Sequence, residues 1–266
     1  MTQRNRLYPL LVVILSLFFV AGCGATAKKD IATRIEGSNK PVITWGVKTD
    51  TNLFGLYNIQ NQDIKGFDVD IAKAITDEIT NGEGEADFVE VSSKTRISLL
   101  KNGNIDAIIA TMTITDERKK VIDFSDVYFD AGQSLLVAND SPIENVESLE
   151  EGATVLAVKG ANSAANLKKH APQVRILELE NYSEAFTALA SGQGEAMTTD
   201  NAILLGIIDQ NPGYRLAGEA FTEEPYGIGI DKGQDDFLEE VNTALETIKK
   251  NGVYDEIYDK WFGGLM

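Results

Sequence analysis

Strand-length apolar runs alternate with helix-length segments twice along this chain, and that rhythm restricts it to an α/β architecture built in two parts. In the first part, residues 42–47 read as a strand. The segment Gly66-Phe67-Asp68-Val69-Asp70-Ile71 then opens a helix whose apolar positions Val69, Ala72, Ile75 and Ile79 share one face. Asp68 and Asp70 stand in its first turn, where carboxylates complement the helix dipole. Residues 88–91 are a strand, 94–101 a helix, and 105–110 an apolar run of buried-strand type. The alternation resumes with strands at 155–158, 175–179 and 195–198 and helices at 162–169, 183–191 and 202–209. A strand at 226–230 and two helices, 235–251 and 253–261, complete the pattern. Both halves predict mostly parallel sheets. Such sheets hold ligands at their strands' carboxyl ends or in a crevice between lobes. Pattern alone yields two lobes and a cleft, and names no ligand.

Charge and side-chain inventory exclude several chemistries. The 266 residues carry a formal net charge of -17, which opposes binding to a phosphate backbone or to anionic lipid heads. Cys23 is the only cysteine and His170 the only histidine. A Cys/His zinc site is therefore nearly excluded, and a catalytic set would have to draw its base from His170. His170 lies in the run Lys168-Lys169-His170-Ala171-Pro172, which reads as a solvated helix end. No EF-hand pattern occurs, and Glu144, Glu147, Glu150 and Glu151 read as a solvated face. No metal or organic cofactor is implied.

The N-terminus reads as a secretion signal. Arg4 and Arg6 precede an apolar run from about Leu7 to Val20, short of the roughly 20 apolar residues of a membrane span. The run ends Val20-Ala21-Gly22-Cys23, which resembles the bacterial lipobox. That resemblance implies removal of residues 1–22 and lipidation of Cys23, anchoring an extracytoplasmic protein to the membrane. The alternative is an ordinary signal with a chance cysteine. Residues 23–41 are expected to be a lipidated, flexible linker.

Four blocks, in order and with matching spacing over about residues 42–263, resemble the amino-acid-binding solute receptors of ABC importers, solute-binding protein family 3. They are GFDVDIAKAI at 66–75, AIIATMTITDER at 107–118 with VIDFSD at 121–126, EPYGI at 224–228, and NGVYDEIYDKWFG at 251–263. The resemblance implies a two-lobed periplasmic-binding-protein-like fold. Lobe 1 would comprise residues 42–129 and 228–266, lobe 2 residues 133–223. Two crossings between them would form a hinge that closes on a small amino acid. It also implies permease subunits as partners, and we expect a monomer.

A free amino acid carries a carboxylate and an ammonium, and burying it requires partners for both. By the resemblance, Arg118 binds the carboxylate through its guanidinium fork, although the basic run Arg118-Lys119-Lys120 also suits a helix surface. Thr113 adds a hydroxyl and a backbone N–H, and Thr111 a carbonyl. Asp200 pairs the ammonium or, in the plainer reading, caps the helix that follows. Asp50 is a pocket residue or a turn aspartate. Lys159 and Ser163 lie where backbone N–H groups at a helix start would hold the carboxylate from lobe 2. Tyr226 lines the cleft or only shapes the crossing. The family often sandwiches the ligand stem between aromatic rings. This chain instead has Leu53, with Phe54 beside it, at the first such position, and Ser93 near the second. The segments with Lys48 and Arg96 resemble the glutamate and aspartate branch, where these two would pair a side-chain carboxylate. The alternatives are an outward-facing strand lysine and a solvent-facing helix arginine.

The leading expectation is therefore a binding protein for an acidic amino acid, with glutamine the nearest rival. A periplasmic dehydratase on the same fold is a remote alternative, since no carboxylate stands out as a general acid or base. A receptor's sensing module would need a membrane helix and an intracellular domain, and neither follows residue 261 in this sequence.

Overall fold

A computed structural model of the chain describes residues 30–265; the segment read as a secretion signal, and Cys23, lie outside them. The fold is two-lobed α/β. Five strands cross the first sheet in the order β5 (Glu85–Glu90), β1 (Val42–Val47), β6 (Ala107–Ile108), β13 (Glu224–Asp231) and β7 (Ile122–Ala131). The second sheet runs β10 (Arg175–Leu179), β9 (Thr154–Val158), β11 (Ala196–Asp200), β8 (Gln133–Ala138) and β12 (Tyr214–Ala217). A small antiparallel ribbon, β2 (Asp50–Thr51), β3 (Gly55–Asn58) and β4 (Asp63–Lys65), follows β1.

The sheets are mixed in a regular way. β1 pairs in parallel with β5 and β6, and β13 is antiparallel to both β6 and β7. β9 pairs in parallel with β10 and β11, and β8 is antiparallel to both β11 and β12. In each sheet one strand runs against the other four, and it is the strand that has just arrived from the other lobe. Strands joined by helical crossovers stay parallel; the passage between lobes reverses the direction. The strand expected over residues 105–110 shrinks to Ala107–Ile108, because the chain then turns left-handed at Thr111, whose φ is +46°.

The two crossings lie side by side. Gly132 alone separates β7 from β8, and a Cβ there would come 2.6 Å from both the Ala220 Cβ and the Thr222 carbonyl oxygen. The Phe221 N–H donates to the Gln133 carbonyl at 2.8 Å, and the Gln133 N–H to Thr222 Oγ1 at 3.1 Å. Beneath the cleft, Phe54, Phe67, Phe129 and Phe262 pack ring against ring at centroid separations of 5.1–6.1 Å. Edge-to-face contacts of this kind fill a floor densely. The helix α2 (Phe67–Thr80) leaves that floor and buries Val69, Ala72 and Ile75.

The flexible linker expected over residues 23–41 is not what residues 31–36 form. They make α1 (Ile31–Glu36), with Asp30 accepting the Ala32 N–H at 2.8 Å as N-cap. Ile31, Ala32 and Ile35 are buried against α8 (Asp235–Lys250), and the Ile31 N–H donates to Gln234 Oε1 at 2.7 Å. Arg34 pairs with Asp106 at 2.6 Å. One turn and a half has too little intrinsic stability to signal itself; docking on lobe 1 supplies the rest. No helix among the described residues is long and apolar enough to cross a membrane. If α1 belongs to the folded body, Ile35→Ala should lower unfolding stability by about 2 kcal/mol. An unchanged urea midpoint would return this segment to the linker.

Candidate functional site

The carboxyl ends of β1, β6, β9 and β11 face one another across the seam between the lobes. Lys48 follows β1 and Asp50 opens the ribbon. α3 (Arg96–Lys101) begins with Arg96, and α4 (Asp116–Lys119) carries Arg118. From the second lobe come Ser163 at the start of α5 (Ser163–His170), Tyr182 at the start of α6 (Tyr182–Ala190), and Asp200 between β11 and α7 (Asn201–Gln210).

Arg118 spans the seam. Its Nη1 donates to the Thr113 carbonyl at 2.7 Å, and its Nη2 to the Gly160 carbonyl of the other lobe at 3.3 Å. Burial pushes its pKa down. Thr113 is buried and forms a lone antiparallel bridge with Tyr226. Arg96 is only 2% exposed, so the solvent-facing reading fails. Its Nη1 donates to the Ala110 carbonyl at 2.6 Å and lies 3.5 Å from that of Thr111, while its Nε has no partner. Burial first, and the neighbouring Arg118 second, push the Arg96 pKa down. Thr111 holds its strained conformation because its N–H donates to Asp68 Oδ2 at 2.9 Å.

Lys48 faces inward. It is 1% exposed, its Nζ lies 3.5 Å from Asp50 Oδ1 and 4.6 Å from the Tyr182 ring centre, and it makes no hydrogen bond. Burial drives its pKa down to about 8 against the pull of Asp50. Asp50 bridges the lobes, because its Oδ2 accepts the Tyr182 N–H at 2.8 Å. Asp200 stands at the N-cap position of α7, but its side chain makes no capping bond and turns to the seam instead. Its Oδ2 accepts the Tyr226 hydroxyl at 2.6 Å. Burial raises its pKa to about 7, with Tyr226 pulling the other way. Tyr226 is fully buried, its ring stacked on Phe129 at 5.6 Å.

Nine of the ten candidate binding residues thus meet at one seam: Arg118, Asp200, Thr113, Thr111, Arg96, Lys48, Asp50, Ser163 and Tyr226. Lys159 is the exception. Its side chain is half-exposed and pairs with Glu180 at the surface. Val158 before it points into the core, so the pleat sends Lys159 outward, and the Gly160 carbonyl meets Arg118 instead.

Several participants escaped the sequence reading. Asp68, read as a dipole-complementing helix residue, is fully buried and also accepts the Tyr128 hydroxyl at 2.9 Å. Burial raises its pKa to about 7. Tyr182 supplies both the N–H for Asp50 and the ring facing Lys48. Ser93, noted only as a missing aromatic, is buried. Contacts over such sequence separations leave no local signal, though a carboxylate on the apolar side of an amphipathic helix could have marked Asp68.

Four buried polar atoms here have no hydrogen-bond partner within the protein: Lys48 Nζ, Ser93 Oγ, Arg96 Nε and Ser163 Oγ. All four can donate. Buried donors are costly to leave unpaired, so the seam suits a small guest rich in acceptor oxygens. Asp200 and its tyrosine offer the complementary acceptor for an ammonium.

Residues 43–264 match the model of the bacterial extracellular solute-binding proteins, family 3. The chain is 54% identical over 260 residues to the ABC transporter glutamine-binding protein GlnH of Bacillus subtilis (strain 168), covering 94% of each. It is 52% identical over 236 residues to the glutamine-binding protein of Geobacillus stearothermophilus, covering 84% of this chain and 90% of the relative. Among solved structures, an ancestral arginine-binding protein bound to glutamine superposes with a TM-score of 0.78 at 43% identity, over 84% of this chain and 98% of that one. With the matching fold and the convergent seam, these likenesses show that the chain belongs to family 3 of the bacterial extracellular solute-binding proteins.

Proposed function

We propose that this chain captures glutamine by closure of its two lobes and delivers it to an ABC importer. The set of unpaired buried donors beside Arg118 and Asp200 is the observation that carries the reading. Arg118, with the Thr113 backbone and Ser163, meets the ligand carboxylate. Asp200, steadied by Tyr226, meets the ammonium. Lys48 and Asp50 meet the side chain. An amide needs one donor for its oxygen and one acceptor for its nitrogen, and Lys48 Nζ and the Asp50 carboxylate, 3.5 Å apart, supply that pair.

The expectation of glutamate or aspartate gives way on two counts. The relatives at 54% and 52% identity are named for glutamine. Arg96, which was to pair a side-chain carboxylate together with Lys48, turns its Nη1 to the Ala110 and Thr111 carbonyls, keeps Nε as a buried donor without a partner, and lies within the field of Arg118. Titration calorimetry should show glutamine binding at least about tenfold tighter than glutamate. The reverse order would restore the acidic ligand. Arg118→Ala should weaken glutamine by roughly a hundredfold, the usual scale for truncating one partner of a buried charge pair. Undiminished binding would remove Arg118 from the site.

The raised Asp200 pKa has a conformational consequence. Its ionised form is penalised by burial between the lobes, where Glu224 adds to the penalty and Tyr226, Arg118 and Arg96 offset part of it. A carboxylate whose pKa is raised on closing favours the closed form as pH falls through the raised value. The Lys48 penalty is complete below about 8 and does not change further. Small-angle scattering of unliganded protein should therefore show the closed fraction growing from pH 8 to pH 5, by up to about tenfold per pH unit below 7. Asp200→Asn should flatten the response. A flat wild-type profile would show that Asp200 does not resist closure.

We further propose that Cys23 carries the lipid anchor, since it completes the run Val20-Ala21-Gly22-Cys23. Cys23→Ser should release the protein into the medium of expressing cells. Continued retention in the membrane fraction would exclude the lipid tether.

A further inference from the structure

We propose that Asn52 and Gly206 form a closing latch, a pair of positioning residues that hold the lobes shut at one rim of the seam. The proposal rests on the capture reading above.

Asn52 lies in the turn between β2 and β3 of the first lobe, and Gly206 in the middle of α7 of the second. They are 154 positions apart, yet Asn52 Nδ2 donates to the Gly206 carbonyl at 2.9 Å. The same nitrogen reaches Asp209 Oδ2 at 3.3 Å. The approach is tighter than any side chain would allow. A Cβ at Gly206 would lie 2.6 Å from the Asn52 carbonyl oxygen, 3.1 Å from its carbon and 3.3 Å from Leu53 Cγ. Two of those atoms are backbone and cannot swing aside.

Backbone conformation gives no reason for this glycine. Gly206 is helical and its φ is not positive, and alanine is the better helix former at such a position. The glycine is explained only by the lobe that closes on it. The opposite rim makes a useful contrast. There a Cβ at Gly160 would come 2.6–2.7 Å from the Ser93 carbonyl oxygen and the Lys94 backbone, but its φ of +80° would call for glycine in any case. At the Asn52 rim the contact stands alone as the cause.

A latch formed only in the closed state acts on release rather than on encounter. Glutamine binding should be measured by calorimetry, and its dissociation by surface plasmon resonance, for the wild type, Gly206→Ala, Asn52→Ala and Gly213→Ala. The last is a control, since a Cβ at Gly213 meets nothing within 4 Å. Gly206→Ala should release glutamine about tenfold faster with little change in association, while its unliganded melting temperature stays level or rises. Asn52→Ala should also release faster, and Gly213→Ala should match the wild type. Equal release from Gly206→Ala and the wild type overturns the latch and leaves the capture reading standing. A wild type that binds no glutamine overturns both. Should Gly206→Ala fail to fold, Asn52→Ala decides, and unchanged release from it overturns the latch.

Discussion

The seam is organised by charges held out of water before any ligand is considered. Lys48, Arg96 and Arg118 face Asp50, Asp68 and Asp200, and of the six only Asp50 is appreciably exposed. Desolvating an ion costs several kcal/mol even in a relaxed protein, so each needs support. Arg96 rests on the carbonyls of Ala110 and Thr111, and Arg118 on those of Thr113 and Gly160. The carbonyls of Ala110, Thr111 and Thr113 lie where the chain leaves β6 through a left-handed Thr111, which the buried Asp68 holds by its N–H. Support by carbonyls is partial, and it leaves donor capacity on the ligand side. That residue of unmet hydrogen bonding distinguishes the seam from a core.

The rest of the fold holds the first-lobe charges together and brings Asp200 to them from the second lobe. The aromatic floor joins the ribbon, α2, both crossing strands and α9 (Val253–Phe262) in one cluster. Tyr226 belongs to this floor through Phe129 and to the site through Asp200. Behind this floor lies the paired, glycine-relieved crossing. Glu224 stands there too, accepting from Asn162 at 2.5 Å, Asn166 at 2.7 Å and Thr222 at 2.7 Å. It thereby ties the start of α5, and with it Ser163, to the hinge strand.

How much of this was legible in the sequence follows from the range of each interaction. Helices with a clear apolar face, such as α2 and α8, declared themselves, as did the buried strands β9 and β11. The family blocks contain Arg118, Thr113 and Tyr226, and the wider resemblance pointed to Asp200; all four stand at the seam. The ribbon of β2 to β4 and the docked α1 did not show, because strands of two to four residues and a six-residue helix have too little length to show a period. The burial of Asp68 depends on a backbone N–H 43 positions away, and the pairing of Tyr182 with Asp50 on one 132 positions away. Lys159 was misplaced by one step of the pleat, which a nearby strand boundary decides.

The ligand proposed above rests on a distinction the sequence could not draw, namely whether a cation in the seam stands alone or beside a carboxylate. Lys48 and Arg96 taken as two open positive charges call for a carboxylate. With Asp50 at 3.5 Å from Lys48 Nζ, the side-chain end holds a donor and an acceptor together. A second carboxylate there would sit against Asp50 as well as Lys48. Like charges about 4 Å apart at an effective dielectric constant near 20 repel by about 4 kcal/mol, enough to cancel the attraction of the lysine. A guanidinium meets the mirror problem, gaining Asp50 and opposing Lys48. An uncharged amide escapes both penalties and satisfies both partners. The same two residues that suggested an acidic ligand, seen with their neighbour, therefore favour its amide.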